Sequence, residues 1–221
     1  MPRAVLLVLG ATLGAQIAWQ AARPADPRAA EDLPPAPGPQ ALRLASFGEP
    51  EAAARLCMVY LQSFDFPRVD LQRALGWLQT TLEVDARSQY PLFLAARVYA
   101  ETADPARKRA VLEFVYQAFL QDPNRRWPWL AHAALLAKHR LNDLALARRY
   151  AHAVQERTTA RDVPLWARQM EIFILEDMNE LQAARIMIGG LLQSGTLTDP
   201  AEIRFLKERL DELEGRLGAR K

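Results

Sequence analysis

From Glu49 onward the apolar positions follow a helical period, and strand-like alternation is absent. Leucine, alanine, arginine and glutamate dominate this stretch, and all four are good helix formers. Short breaks cut the periodic segments: "VDARSQYP", "ETADPAR", "QDPNRRWP", "HRLND", "TTARDVP" and "EDMNE" among them. They supply aspartate, asparagine, serine or proline where a helix should begin. The pattern predicts an all-α body of helices about 12 to 17 residues long, joined by tight turns.

The two ends follow other patterns. Arg3 precedes a largely apolar run from Ala4 to Ala22. As a helix that run spans about 28 Å, close to a bilayer core, with Trp19 near its far end. A cleaved signal competes with an uncleaved anchor over residues 1–22. Cuts after Ala21 or Ala22 would put Trp19 or Gln20 at the third position before the scissile bond, where a small residue is needed. Cuts after Gly14 or Ala15 leave a short apolar core, so the anchor is the better reading. Arg3 on one flank is balanced by Arg23 and Arg28 on the other. A short N-terminal flank retained inside would, in a bacterial chain, place the body in the periplasm on the inner membrane.

Residues 23–48 carry prolines at 24, 27, 34, 35, 37 and 39. They are expected to form an extended, semi-rigid spacer. At the other end, 198–221 sets Ile203, Leu206, Leu210, Leu213 and Leu217 in one stripe among charges. That suits a helix capping a stack, with coiled-coil dimerisation as the alternative.

Between the ends, over 49–197, the chain repeats. "YPLFLAARVYA", "WPWLAHAALLA" and "VPLWARQMEIF" open alike, with Pro91, Pro128 and Pro164 in register. Each of these prolines is expected in the first turn of its helix. The following helices align on Ala74, Ala110, Ala147 and Ala184, with Leu78, Phe114, Ala151 and Ile188 four positions on. "LNDLALA" and "MNELQAA" read as the turn and start of a second helix. A helix–turn–helix unit of this length and small-then-large pattern resembles the tetratricopeptide repeat (TPR) from about Glu49 to Ser194. The resemblance implies a right-handed α-solenoid of about four antiparallel helix pairs, to which the stripe over 198–221 adds a capping helix and the apolar run over 4–22 a transmembrane helix. It further implies a groove lined by the first helix of each pair, used to hold other proteins.

A net charge of +2 gives no ground for nucleic-acid binding. The single cysteine, Cys57, forbids an intramolecular disulfide and is expected to be a buried thiol. Nucleotide-binding, zincin and nucleophile-elbow motifs are absent. His132 and His139 share a helix face but lie about 10 Å apart along it, too far to bind one metal ion together. Glu176, Asp177 and Glu180 are explained by a helix start. Gly189 and Gly190 suggest a close helix approach or a kink, and Gly195 a helix stop. The segment from Pro105 to Arg161 is basic and that from Asp162 to Glu214 acidic, an asymmetry suited to a polar partner or to head-to-tail self-association.

The sequence therefore suggests a membrane-anchored, non-enzymatic scaffold for protein partners in a bacterial envelope, without cofactor, metal or catalytic residues. The membrane contact would be through residues 4–22. The alternative is a permanent accessory subunit of a membrane complex. Candidate partner-binding residues are Arg97, Arg125, Arg126, Trp129, His132, Lys138 and Arg168.

Overall fold

The computed structural model describes residues 12–16, 18, 33–64, 68–193, 197 and 199–219. The chain divides into two compact units, residues 1–32 and 33–221. In the first, residues 12–16 and 18 are helical. Most of the expected anchor over 4–22 lies outside the described residues, as does Gly195. Among the described residues no helix is long and apolar enough to cross a membrane.

The second unit is helical, with no strand among the described residues. Its helices are α1 (Pro39–Ala45), α2 (Pro50–Gln62), α3 (Leu71–Val84) and α4 (Tyr90–Phe93). The last continues as a π-helical stretch, Leu94–Val98, and a 3-10 turn, Tyr99–Glu101. Then come α5 (Pro105–Gln121), α6 (Pro123–Arg140), α7 (Leu144–Arg157), α8 (Leu165–Arg168), α9 (Met170–Asp177), α10 (Leu181–Gln193) and α11 (Pro200–Gly218).

The caps explain where these helices begin and end. Asp70, Asp104, Asp143 and Asp199 each accept a backbone N–H from the first turn of α3, α5, α7 and α11. Asn142 and Asn179 take positive φ at the exits of α6 and α9, where asparagine is tolerated. Both sit in the turns read from "LND" and "MNE". Phe47 fills the same left-handed position after α1 with φ 53°, although it is not glycine and is 98% exposed. Gly48 N–H reaches Arg43 O at 2.7 Å, so the exit is hydrogen-bonded, but Phe47 carries a steric penalty there. Phe47→Gly should therefore stabilise the protein by about 0.5–1 kcal/mol. A chemical-denaturation midpoint that does not rise would contradict this.

Consecutive helices pack on one another: α2 on α3, α5 on α6, α6 on α7, α7 on α9, α9 on α10 and α10 on α11. Side-chain bonds also tie each unit to the next, one repeat length along the chain. Arg107 donates to Val69 O, Arg109 pairs with Asp143, and Arg149 pairs with Glu113. These links span 34 to 38 residues. The core follows the small-then-large pattern: Ala74 and Leu78, Ala147 and Ala151, Ala184 and Ile188 are all fully buried. Helix α5 departs from it. Ala110 and Phe114 are only partly buried, and Val111 and Val115 take the fully buried places, so the packed register is shifted by one residue.

Three expectations need correcting. The Pro-rich spacer of 23–48 is not free throughout, because residues 33–48 belong to the body. Leu33 is fully buried, its carbonyl accepts from Arg73 Nη1 at 2.9 Å, and Pro34 O accepts from Trp77 Nε1 at 2.8 Å. Extended proline-rich chain leaves its carbonyls without internal partners, and α3 supplies donors for them. The three prolines are not equivalent either. Pro91 is the second residue of α4, Pro164 is the N-cap of α8, and Pro128 lies inside α6. Asp122–Pro123 starts α6 earlier than expected, because proline is best placed at the first helical position. Finally, a Cβ added at Gly189 or Gly190 would meet nothing within 4 Å, so close packing is not their reason. Gly190 lies within α10 with open space around it, and Gly190→Ala should add about 0.5–1 kcal/mol of stability, read as a higher melting temperature.

Helix α11 turns its apolar stripe inward. Leu206 and Leu213 are buried in a cluster with Ile172, Leu181, Ala184 and Ile188. Its second tie is ionic. Glu176, with a side chain 4% exposed, receives Arg209 through both carboxylate oxygens and has Arg216 Nη1 at 3.7 Å.

Candidate protein-binding surface

Several of the candidate residues are committed to the fold. Arg126 is 1% exposed. Its Nη1 donates to Ala118 O at 2.7 Å and to Gln121 Oε1 at 3.3 Å, and its Nη2 to Ala86 O at 3.0 Å. It holds together the end of α5, the start of α6 and the loop before α4, so no partner can reach it. Burial lowers its pKa, against the nearby charge of Asp122. Trp129 donates Nε1 to Gln89 Oε1 at 2.7 Å and meets the Phe93 ring edge-on at 6.0 Å. It is packing between units, as a tryptophan with one polar handle should be. Lys138 pairs with Asp177, and Arg168 donates Nη2 to Ala160 O.

Arg125 is exposed and pairs with Asp122 at 3.1 Å within one helical turn. Arg97 is exposed on the π-helical stretch, beside half-buried His132. Burial first, then the Arg97 charge, hold the His132 pKa below its ordinary value, partly offset by the Ala96 backbone and Glu101. The structure thus brings Arg97 beside His132, and Arg126 and Trp129 to the junction of α6 with the loop before α4. It places Arg125, Lys138 and Arg168 in pairings of their own.

Part of the charge asymmetry is neutralised inside the chain. Arg148 and His152 both contact Glu171, which is buried, at 3.0 and 2.8 Å. With Lys138–Asp177, these pairs join the basic segment directly to the acidic one. Asp143 caps α7 and accepts from Arg109; that bond leads the causes that hold its pKa below the usual range. Cys57 is buried in α2, and burial raises its pKa, against a hydrogen bond with Thr81. Among the described residues no group of histidine, cysteine and acidic side chains is placed to hold a metal ion.

What remains open is apolar. Leu56, Val59 and Tyr60 on α2, Tyr90, Phe93 and Val98 on α4 and its continuation, Leu135 on α6 and Trp166 on α8 are exposed. All of these lie on the helices read as first of each pair. The second helices contribute Leu120 and Ile186, α1 and its exit contribute Leu44 and Phe47, and α11 contributes Phe205.

Between α2 and the 85–90 loop this surface becomes a cleft. Two adjoining hollows of about 630 and 300 Å³ share Ala54, Arg55, Ser88 and Tyr90. The larger has Glu49, Glu51 and Asp85 at its rim, and the smaller is lined by Met58 and Val59. The sequence pattern did not point to this cleft, although a signal was present. "AAARLCMVYLQ" places apolar residues all round α2, more than one buried stripe needs.

No family model matches the chain, and neither a curated protein nor a solved structure is significantly similar to it.

Proposed function

We propose that the chain is a membrane-anchored, TPR-like scaffold that binds other proteins through the exposed faces of its first helices. The observation that carries this reading is the concentration of exposed large apolar side chains on those helices. Monomeric proteins rarely leave contiguous apolar surface open unless it is to be covered. Consecutive helix packing and side-chain ties one repeat length apart support a short right-handed solenoid of about four helix pairs, closed by α11. The apolar run over 4–22 would hold the body at the bacterial inner membrane, on its periplasmic side.

Photocrosslinking tests the proposal. Benzoylphenylalanine placed at Val59, Phe93, Leu135 or Trp166 in the full-length chain should give protein adducts in the native membrane, while Leu120 and Ile186 should not. Adducts from the second helices alone would sink the reading. One adduct of fixed stoichiometry would instead mark a permanent subunit of a complex.

A further inference from the structure

We infer that the cleft between α2 and the 85–90 loop is a docking site, and that it takes an amphipathic helix bearing a bulky apolar residue and a lysine or arginine three turns apart. The inference rests on the protein-binding reading above and gives it one place and one chemistry.

The first argument is that this junction stands open while the equivalent ones are latched. Helices α2 and α6 begin alike, with an acid followed by proline: Glu49–Pro50 and Asp122–Pro123. The next residue differs. Asn124 accepts from Thr159 N–H at 2.8 Å and Ala160 N–H at 3.0 Å, and donates to Thr159 Oγ1 at 3.2 Å. It thereby pins the following loop to the start of α6, and the hollow there is about 370 Å³. At the same place in α2 stands Glu51, which turns along its own helix to Arg55. A carboxylate cannot donate to a loop hydroxyl as the Asn124 amide does. The junction between α4 and α6 is closed by Arg126 and Trp129. At the α2 junction, Gln62 Nε2 donates to Tyr90 Oη at 2.8 Å at the far end, and the cleft opens to about 630 Å³.

The second argument is charge. Among the described residues neither Glu49 nor Asp85 has an ion-pair partner, and Arg55 is taken by Glu51. Arg87 is the remaining base on the rim, so acids are in excess there. The opposite end offers Met58, Val59 and the ring of Tyr90. From Glu49 to Val59 is about 15 Å along α2, which matches residues ten or eleven apart on a partner helix. A basic residue toward Glu49 and Asp85, with an apolar anchor between Val59 and Tyr90, satisfies both ends at once.

A displayed library of random dodecapeptides, selected on the full-length chain and counter-selected on its Val59→Asp variant, tests this. Enriched peptides should pair a bulky apolar residue with Lys or Arg ten or eleven positions away. Each should bind Val59→Asp, and separately Glu49→Lys/Asp85→Lys, at least about tenfold more weakly, and Ile186→Asp unchanged. Because Val59 is 67% exposed, Val59→Asp should melt like the parent. Val59→Ser, which adds no charge, should weaken binding in the same direction. No enrichment over the counter-selection, acidic consensus peptides, or binding indifferent to the cleft variants would each overturn the site. In the last case, peptide binding elsewhere would leave the protein-binding reading intact. Sedimentation showing a dimer that Val59→Asp dissociates would also overturn it, since a second copy would then cover the cleft.

Discussion

Arg126→Ala should destabilise the protein by about 3–4 kcal/mol, far more than the loss of an exposed arginine. Its guanidinium satisfies the buried Ala118 O and also holds Ala86 O of the loop before α4, and truncation leaves Ala118 O unpaired beside a cavity and frees the loop. At roughly 2–4 °C per kcal/mol for a chain of this size, the melting temperature should fall by about 6–15 °C. Arg126→Met keeps the apolar stem and removes the charge, so it should cost about half as much. Arg125→Ala, one position away but exposed, should stay within about 0.5 kcal/mol. Equal losses for the neighbouring arginines in thermal melts would show that Arg126 is not the tie described.

The second large effect is expected at the other end. Arg209→Leu removes the bidentate partner of a nearly fully buried carboxylate, Glu176, and leaves only Arg216 at 3.7 Å. Stranding such a charge typically costs about 3 kcal/mol. The double substitution Arg209→Leu/Glu176→Leu should recover at least about half of that loss, because it removes the buried charge as well. The pair is seen from the other side too: hydrogen bonding to Glu176 leads the causes that raise the Arg209 pKa, against burial, which lowers it. Hydrogen exchange should show the loss concentrated in α11, whose Leu206 and Leu213 rest on α9 and α10. Uniform loosening of the whole chain, or a double variant no better than the single one, would refute the local latch.

These two ties could not be read from the sequence for one reason. Arginine on a helix reads as a good helix former with a solvated head, and nothing local distinguishes Arg125 from Arg126. The distinction comes from the loop at Ala86, 40 residues away, whose carbonyl faces Arg126. The same holds for Lys138, which reads as a groove residue until Asp177 meets it. Conversely, the turn asparagines Asn142 and Asn179 were legible, because a left-handed turn limits the choice of residue locally.

The sequence by itself determined the helical class, the caps at Asp70, Asp104, Asp143 and Asp199, and the repeat of buried small residues at Ala74, Ala147 and Ala184. Each of these follows from interactions within a few residues or from a period along the chain. Tertiary structure alone decided that residues 33–48 fold back on the body, that α5 packs on Val111 and Val115, and that one junction between helix pairs stands open. The first and last of those outcomes depend on which polar group finds a partner about 40 residues away, and the second on which face of α5 its neighbours cover; no local pattern encodes either.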